Sequence, residues 1–216
     1  MCWDKETSII TFVLGTVINI FNIFYFKETV ITVLSLVWQW VLLMQLFEAF
    51  AWDSQPGPGE KCSKTNRIAA NGALIANVVQ PIIVALAIIA FTPVSIYNKV
   101  IAMVVIIGYI CWLLYGMNQN SPFGCLTPAE GCRNLDYNWW RMFPGNALPY
   151  VFTIAIVILL LYRPIDLAWF TLFLIMGSLL LSSTFYSCGI GSTWCWFAAF
   201  IPLATGVYWY VTRGPP

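Results

Sequence analysis

Glu48 lies inside the run LLMQLFEAFAW, Leu42 to Trp52, three residues after Gln45, where every other signal is for lipid. The same i, i+3 spacing joins Asn19 to Asn22 and Asn77 to Gln80. At about 100° per helical residue each pair shares one face. A polar side chain in hydrocarbon costs free energy unless it is paired or wetted, so function is the default reading. Counting inward from the border of two antiparallel spans puts Glu48 near the depth of Asn77 and Gln45 near that of Gln80, and a polar seam is expected between them. Pro81 adds to the seam, because a residue without an N–H leaves the carbonyl four positions earlier, that of Asn77, without its helical donor. Glu48 lies about 6 Å inside the outer border, from its residue count and the helical rise, within reach of water through a modest vestibule. The competing reading is that these amides and Glu48 hold helices together, since interhelical hydrogen bonds average well under about 1 kcal/mol yet recur widely in bundles. Asn and Gln suffice as such glue. A carboxylate brings a desolvation cost that a proton or cation site requires and glue does not.

These residues need membrane spans to carry them. The chain has 216 residues, 60% hydrophobic, 17% aromatic and 9% charged, a composition that no soluble core of this size hides. Crossing a hydrocarbon layer takes roughly 20 helical residues. Segments that meet this need run from Ser8 to Phe26, Val30 to Trp52, Ala73 to Phe91, Val100 to Met117, Ala147 to Tyr162, Leu167 to Phe185 and Ser192 to Val211. The expected fold is therefore all-α, a polytopic seven-transmembrane-helix bundle in a single membrane domain over 1–216. Barrel strands are rejected because the runs are continuously apolar, without the alternation a lumen-facing strand shows. The first run exceeds the core of a secretory signal, MCWDKET is not a basic leader and no small-residue cleavage site follows, so it is expected to stay in the mature chain.

An odd number of spans puts the N-terminus and the 2–3, 4–5 and 6–7 connections on one face. Cys2, Cys62, Cys125, Cys132 and Cys188 fall there, Cys195 lies just inside its border, and Cys111 is well within a helix. Clustering of this kind is what disulfides in an oxidising compartment produce, so the N-terminus is expected outside, lumenal or periplasmic. The pairing stays open, although C-x6-C recurs at Cys125 with Cys132 and at Cys188 with Cys195. The alternative is that the cysteines are free, mildly apolar residues near the membrane surface. Zinc is disfavoured by the lack of any C-x2-C pair and any histidine, and no metal is expected. The charge rule opposes this orientation, with Lys5, Lys61, Lys64, Arg67, Arg133 and Arg141 outside against Lys27, Lys99, Arg163 and Arg213 inside. The cysteines carry more weight here, because every inner connection is very short and still holds a positive charge. Trp3, Trp52, Trp139, Trp140, Trp194 and Trp196 gather at the outer edge, and Trp169 and Trp209 near the inner one, as interfacial anchors. Trp38, Trp40 and Trp112 lie deeper, where helix packing explains them as well as binding does.

Several activities fall away. Without histidine there is no Ser-His-Asp triad, no Cys-His pair and no histidine-ligated metal. No span holds a lysine for a retinal Schiff base, and no nucleotide-binding glycine motif is present. Asp136 and Asp166 lie at or outside the borders and form no acid pair with Glu48. A net charge of +1 with scattered Lys and Arg excludes nucleic acid. Catalysis through Cys or Ser alone is the remaining enzymatic option. Ser178 with Ser182, and Ala198 with Pro202, make small-x3-small faces suited to close helix approach. Pro81 and Pro202 occupy comparable places in a layout of three helices, a linker and three helices, that of the small sugar transporters with two parallel repeats. No acid in the sixth segment answers Glu48.

The opening MCWDKETS, the MQLFEAFAW of the second span, the Gln80-Pro81 step, the loop cysteines and the TWCW before the seventh span together resemble an uncharacterised family of multi-pass membrane proteins. That family, known only as a domain of unknown function, occurs in bacteria, algae and large DNA viruses. The likeness covers most of the chain. It implies that Glu48, Gln80 and Pro81 occupy the family's characteristic positions, and it implies no activity. The chain departs at Ala76, where the bacterial members carry a histidine one turn before the Gln-Pro step, so no metal site or histidine relay carries over.

Two functions are expected to compete. The first is a small transporter or channel for protons, cations or small solutes, with Glu48 titrating and Gln45, Asn77 and Gln80 lining its site. The second is a scaffold, assembly factor or sensor whose disulfide-stapled outer loops bind a partner, with Trp139, Trp140 and Arg141 exposed in the NWWRMFP stretch. Membrane lipids surround either, and a homo-oligomer or a membrane-complex partner fits both. No cofactor is expected, with pigment or lipid binding left open.

Overall fold

A computed structural model describes residues 4–57, 60–119, 124–128, 135–137, 143–145, 147–185, 194 and 196–215. The described residues form helices α1 (Lys5–Phe26), α2 (Thr29–Asp53), α3 (Lys64–Val78), α4 (Gln80–Phe91), α5 (Ile96–Gln119), α6 (Leu148–Leu161), α7 (Ile165–Phe185) and α8 (Ile201–Arg213). Among them there is no strand, only an isolated bridge between Pro128 and Leu135.

Local chemistry sets the helix ends. The Asp4 carboxylate accepts the Thr7 N–H at 2.7 Å and starts α1, while the left-handed backbone of Lys27, φ 55°, ends it and turns the chain directly into α2. Ser63 caps α3 by accepting the Asn66 N–H at 3.0 Å. α3 therefore begins at Lys64, nine residues before Ala73. Those nine residues, KTNRIAANG, are too polar to read as a span, yet they coil because a cap precedes them and no breaker interrupts them. Pro81 and Pro202 each stand in the first turn of a helix, α4 and α8, where a missing N–H costs nothing.

Four helices are long and apolar enough to cross a membrane, α1, α2, α5 and α7, or five if α3 and α4 form one span bent by 50°. α6 is apolar but spans 14 residues, and α8 has 13 after a turn at Ala199 and Phe200. α2 is the central helix, 56% buried against 28% for α1 and α5. The rim helices turn Ile10, Val17, Phe24, Val104 and Leu114 outward, which is stable in hydrocarbon and unfavourable in water. At one end of the bundle Lys5 pairs with Asp53. At the other, Arg213 donates to both Asp166 oxygens at 3.0 Å and joins α8 to α7.

Candidate functional site

Gln45 and Glu48 are both 0% exposed. They continue a stripe on α2 that runs through Leu34, Val37, Trp38 and Val41, steps of three and four residues that keep one helix face. Below Gln45, the stripe forms one wall of a cavity of about 40 Å³. α4 contributes Gln80 and Val84 to it, α6 Tyr150 and Ile154, and α7 Thr171. The carboxylate thus stands towards the C-terminal end of the helix face that, further along, lines the interior space.

The expected seam between Glu48 and Asn77 is not formed. Trp40 Nε1 donates to the Ala76 carbonyl at 2.9 Å, Phe47 packs on Gly72, and Asn66 donates to the Ala51 carbonyl at 3.2 Å. Those contacts bring Glu48 level with Ala69 and Gln45 level with Gly72. Asn77 and Gln80 lie deeper by about two helical turns, roughly 11 Å. The cause is the early start of α3: counting inward from Lys64 rather than from Ala73 reaches Ala69 opposite Glu48. Gln80 instead shares the cavity wall with Val37 and Trp38, and its Oε1 accepts the Tyr150 hydroxyl.

Beside Pro81 the helix breaks between Val78 and Gln80 with a bend of 50°, where one continuous span was expected. The Asn77 carbonyl accepts the Val79 N–H. Tyr109 donates its hydroxyl to the Val78 carbonyl at 2.7 Å, and Trp40 takes that of Ala76. Donors from α5 and α2 thereby satisfy the backbone that the bend exposes, the condition for irregular structure at membrane depth.

Asn19 and Asn22 join different helices despite sharing a face. Asn19 donates to Gln39 Oε1 at 3.1 Å, and Gln39 donates on to Thr16 at 3.0 Å. Asn22 donates to the Pro202 carbonyl at 2.8 Å, beside Gly206, whose missing side chain leaves room for it. Both asparagines tie helices together, the glue reading. Gln39, a polar residue in the middle of a span, was detectable by the same argument as Glu48. Thr171 and Tyr150 carry no such signal, since short hydroxyl residues and tyrosines are common in spans.

The bundle end that holds the C-terminus of α2 is covered by part of the α5–α6 connection. Cys62 is bonded to Cys125, so Cys125 reaches across two connections rather than to Cys132. Asn66 holds Leu126 by accepting its N–H at 2.8 Å and donating to its carbonyl at 3.0 Å, and Gln55 donates to that carbonyl at 3.0 Å. Leu126, Leu135, Tyr137 and Phe143 are buried. Phe143 belongs to the stretch expected to expose its aromatics, but it packs against Gly116 and Trp112 instead. Trp139, Trp140, Arg141, Cys2, Cys132, Cys188 and Cys195 lie outside the described residues, and Cys111 is an exposed free thiol. The chain matches no protein-family model, no curated protein and no solved structure.

Proposed function

We propose that the chain is a seven-span helical membrane bundle acting as a small transporter or channel, with Glu48 as its titrating group and the α2 face beneath it as its path. α3 and α4 form one bent span in this reading, and α6 and α8 are short ones. The observation that carries it is the single stripe on α2 that runs from the buried carboxylate into the cavity wall. An ionisable residue buried on a helix face that continues into an internal space has a use that helix glue does not require. Gln45 lies one turn below Glu48 and Gln80 at the cavity, while Asn19 and Asn22 hold α1 in place.

The Cys62–Cys125 bond joins the two longest connections of the N-terminal face, which favours an oxidising compartment on that side. The resemblance to the family of unknown function remains part of this proposal and adds no activity to it. The partner-binding alternative is weakened because the described part of the outer connection turns its apolar residues inward.

The test is proton flux into proteoliposomes under an imposed pH gradient and potential, comparing the parent with an equally folded Glu48→Gln variant. Flux in the parent that disappears in the variant is expected. Equal flux in both proteins would remove Glu48 from the path, and silence in both would remove the proton as the transported species.

A further inference from the structure

The α5–α6 connection meets the bundle beside the buried carboxylate. Glu48 stands less than two helical turns before the end of α2 at Asp53, and Ala51, nearer that end, is fully buried as well. What lies against Ala51 is Leu126. The Gln55 amide donates to the Ala51 carbonyl at 2.7 Å and to the Leu126 carbonyl at 3.0 Å, and the Asn66 amide donates to the same two carbonyls at 3.2 and 3.0 Å. Two carbonyls that share two donors are neighbours, so Leu126 sits beside the turn of α2 that separates Glu48 from the helix end. Leu126 is buried in the apolar cluster that also holds Ala51, Ala69 and Ala70. The Asp136 N–H donates to the Thr127 carbonyl at 2.9 Å and Pro128 bridges Leu135, so the buried Leu135 moves with it.

This clasp can open without leaving the bundle unsatisfied. When Leu126 departs, both amides keep the Ala51 carbonyl as acceptor, and water takes over the bonds that Leu126 and the Asn66 oxygen give up. What is lost is a few neutral hydrogen bonds and the burial of a leucine, the scale of local opening rather than of unfolding. The segment is held in sequence on both sides of the clasp. Cys125, next to Leu126, is bonded to Cys62, while further along Phe143 packs on Gly116 and Trp112 donates to the Pro144 carbonyl at 2.8 Å. Leu126 is therefore free to lift and return but not to leave.

We propose that Leu126 is a releasable plug, latched by Asn66 and Gln55, that closes the way from water to Glu48 at the bundle end holding the C-terminus of α2. The inference deepens the transport reading and rests on it for its role, which is to set how often Glu48 exchanges protons with water. Access to position 48 is measurable without any flux.

Glu48→Cys protein in lipid nanodiscs, open to solvent on both faces, is treated with iodoacetate, an anion confined to water. Alkylation is followed by mass spectrometry of the peptide that carries position 48, which separates it from the chain's own cysteines. The thiol at position 48 is expected to react far more slowly than one placed by Ser54→Cys at the cap of α2. Asn66→Ala and, separately, Leu126→Ala are expected to speed it about tenfold or more. The first undoes the latch, and the second shortens the plug while leaving Asn66, Gln55 and the Cys62–Cys125 bond in place, so it decides alone if Asn66→Ala does not fold. Ala51→Cys gives the same readout should Glu48→Cys disturb the fold. Ser35→Cys, a buried site towards the other end of α2, should react at one rate in every background. Position 48 reacting as fast as position 54 in the parent, a rate that either substitution leaves unchanged in folded protein, or a parallel rise at position 35 would each overturn the proposal. Silent proton flux beside gated labelling would refute the transport reading and leave the plug standing, and flux beside ungated labelling would do the reverse.

Discussion

Asn66→Ala should release the α5–α6 connection from the bundle. The Asn66 side chain makes three hydrogen bonds, to the Ala51 carbonyl and to both the N–H and the carbonyl of Leu126. The two carbonyls keep another donor, since Gln55 Nε2 reaches Ala51 at 2.7 Å and Leu126 at 3.0 Å. The Leu126 N–H is different, because Asn66 Oδ1 is the side-chain acceptor that holds it in a buried position. Leaving that donor unsatisfied costs about 1–3 kcal/mol, and with the other lost bonds the docked state should weaken by about 2–4 kcal/mol. At about 1.4 kcal/mol per decade, the opening equilibrium rises roughly 30- to 700-fold. Hydrogen exchange of the Leu126 amide reads that opening directly, because the amide exchanges only when the connection lifts. The Cys62–Cys125 bond tethers the segment in parent and variant alike, so the comparison isolates Asn66. Exchange at Leu126 within threefold of the parent, with helix content unchanged, would refute the docking argument.

Three further substitutions test the helix packing. Tyr109→Phe removes the donor to the Val78 carbonyl at the α3–α4 break and is expected to cost about 1–2 kcal/mol in denaturant titrations in micelles; an unchanged midpoint would show that the bend needs no such donor. Gly206→Val places a Cβ 2.8 Å from Asn22 Oδ1 and 3.1 Å from Phe26, and overpacking of that kind costs about 1–3 kcal/mol. Gly177→Ala, whose Cβ meets nothing within 4 Å, should raise stability by about 0.5–1 kcal/mol in the same assay, and the opposite order of the two glycine variants would contradict the α1–α8 approach.

The helices were legible where a continuous apolar run was bounded by polar residues, as at Lys27 between α1 and α2, whereas the break beside Pro81 was read through as one span from Ala73 to Phe91. The start of α3 was not legible, because Asn66, Arg67 and Asn71 mask its first two turns from a hydrophobicity argument. That single misplacement shifted the expected neighbours of Glu48 by about two turns. It also hid Asn66, which read as part of a connection and proved to be the clamp on Leu126. The candidate site was therefore half legible: Gln45, Glu48 and Gln80 stood out as polar residues in a span, while Trp38, Thr171 and Trp194 did not, since a tryptophan or a threonine inside a span is ordinary.

By itself the sequence determined the helical class, the long apolar runs and the carboxylate buried in one of them, because hydrophobic runs and backbone hydrogen bonding act over neighbouring residues. Only the tertiary structure decided that Asn22 meets Pro202, that Cys62 finds Cys125, and that Trp38, Gln80, Thr171 and Trp194 surround one space. Those meetings depend on helix register and on a bend. Register comes from side chains fitting between helices far apart in the chain, and no local pattern records it.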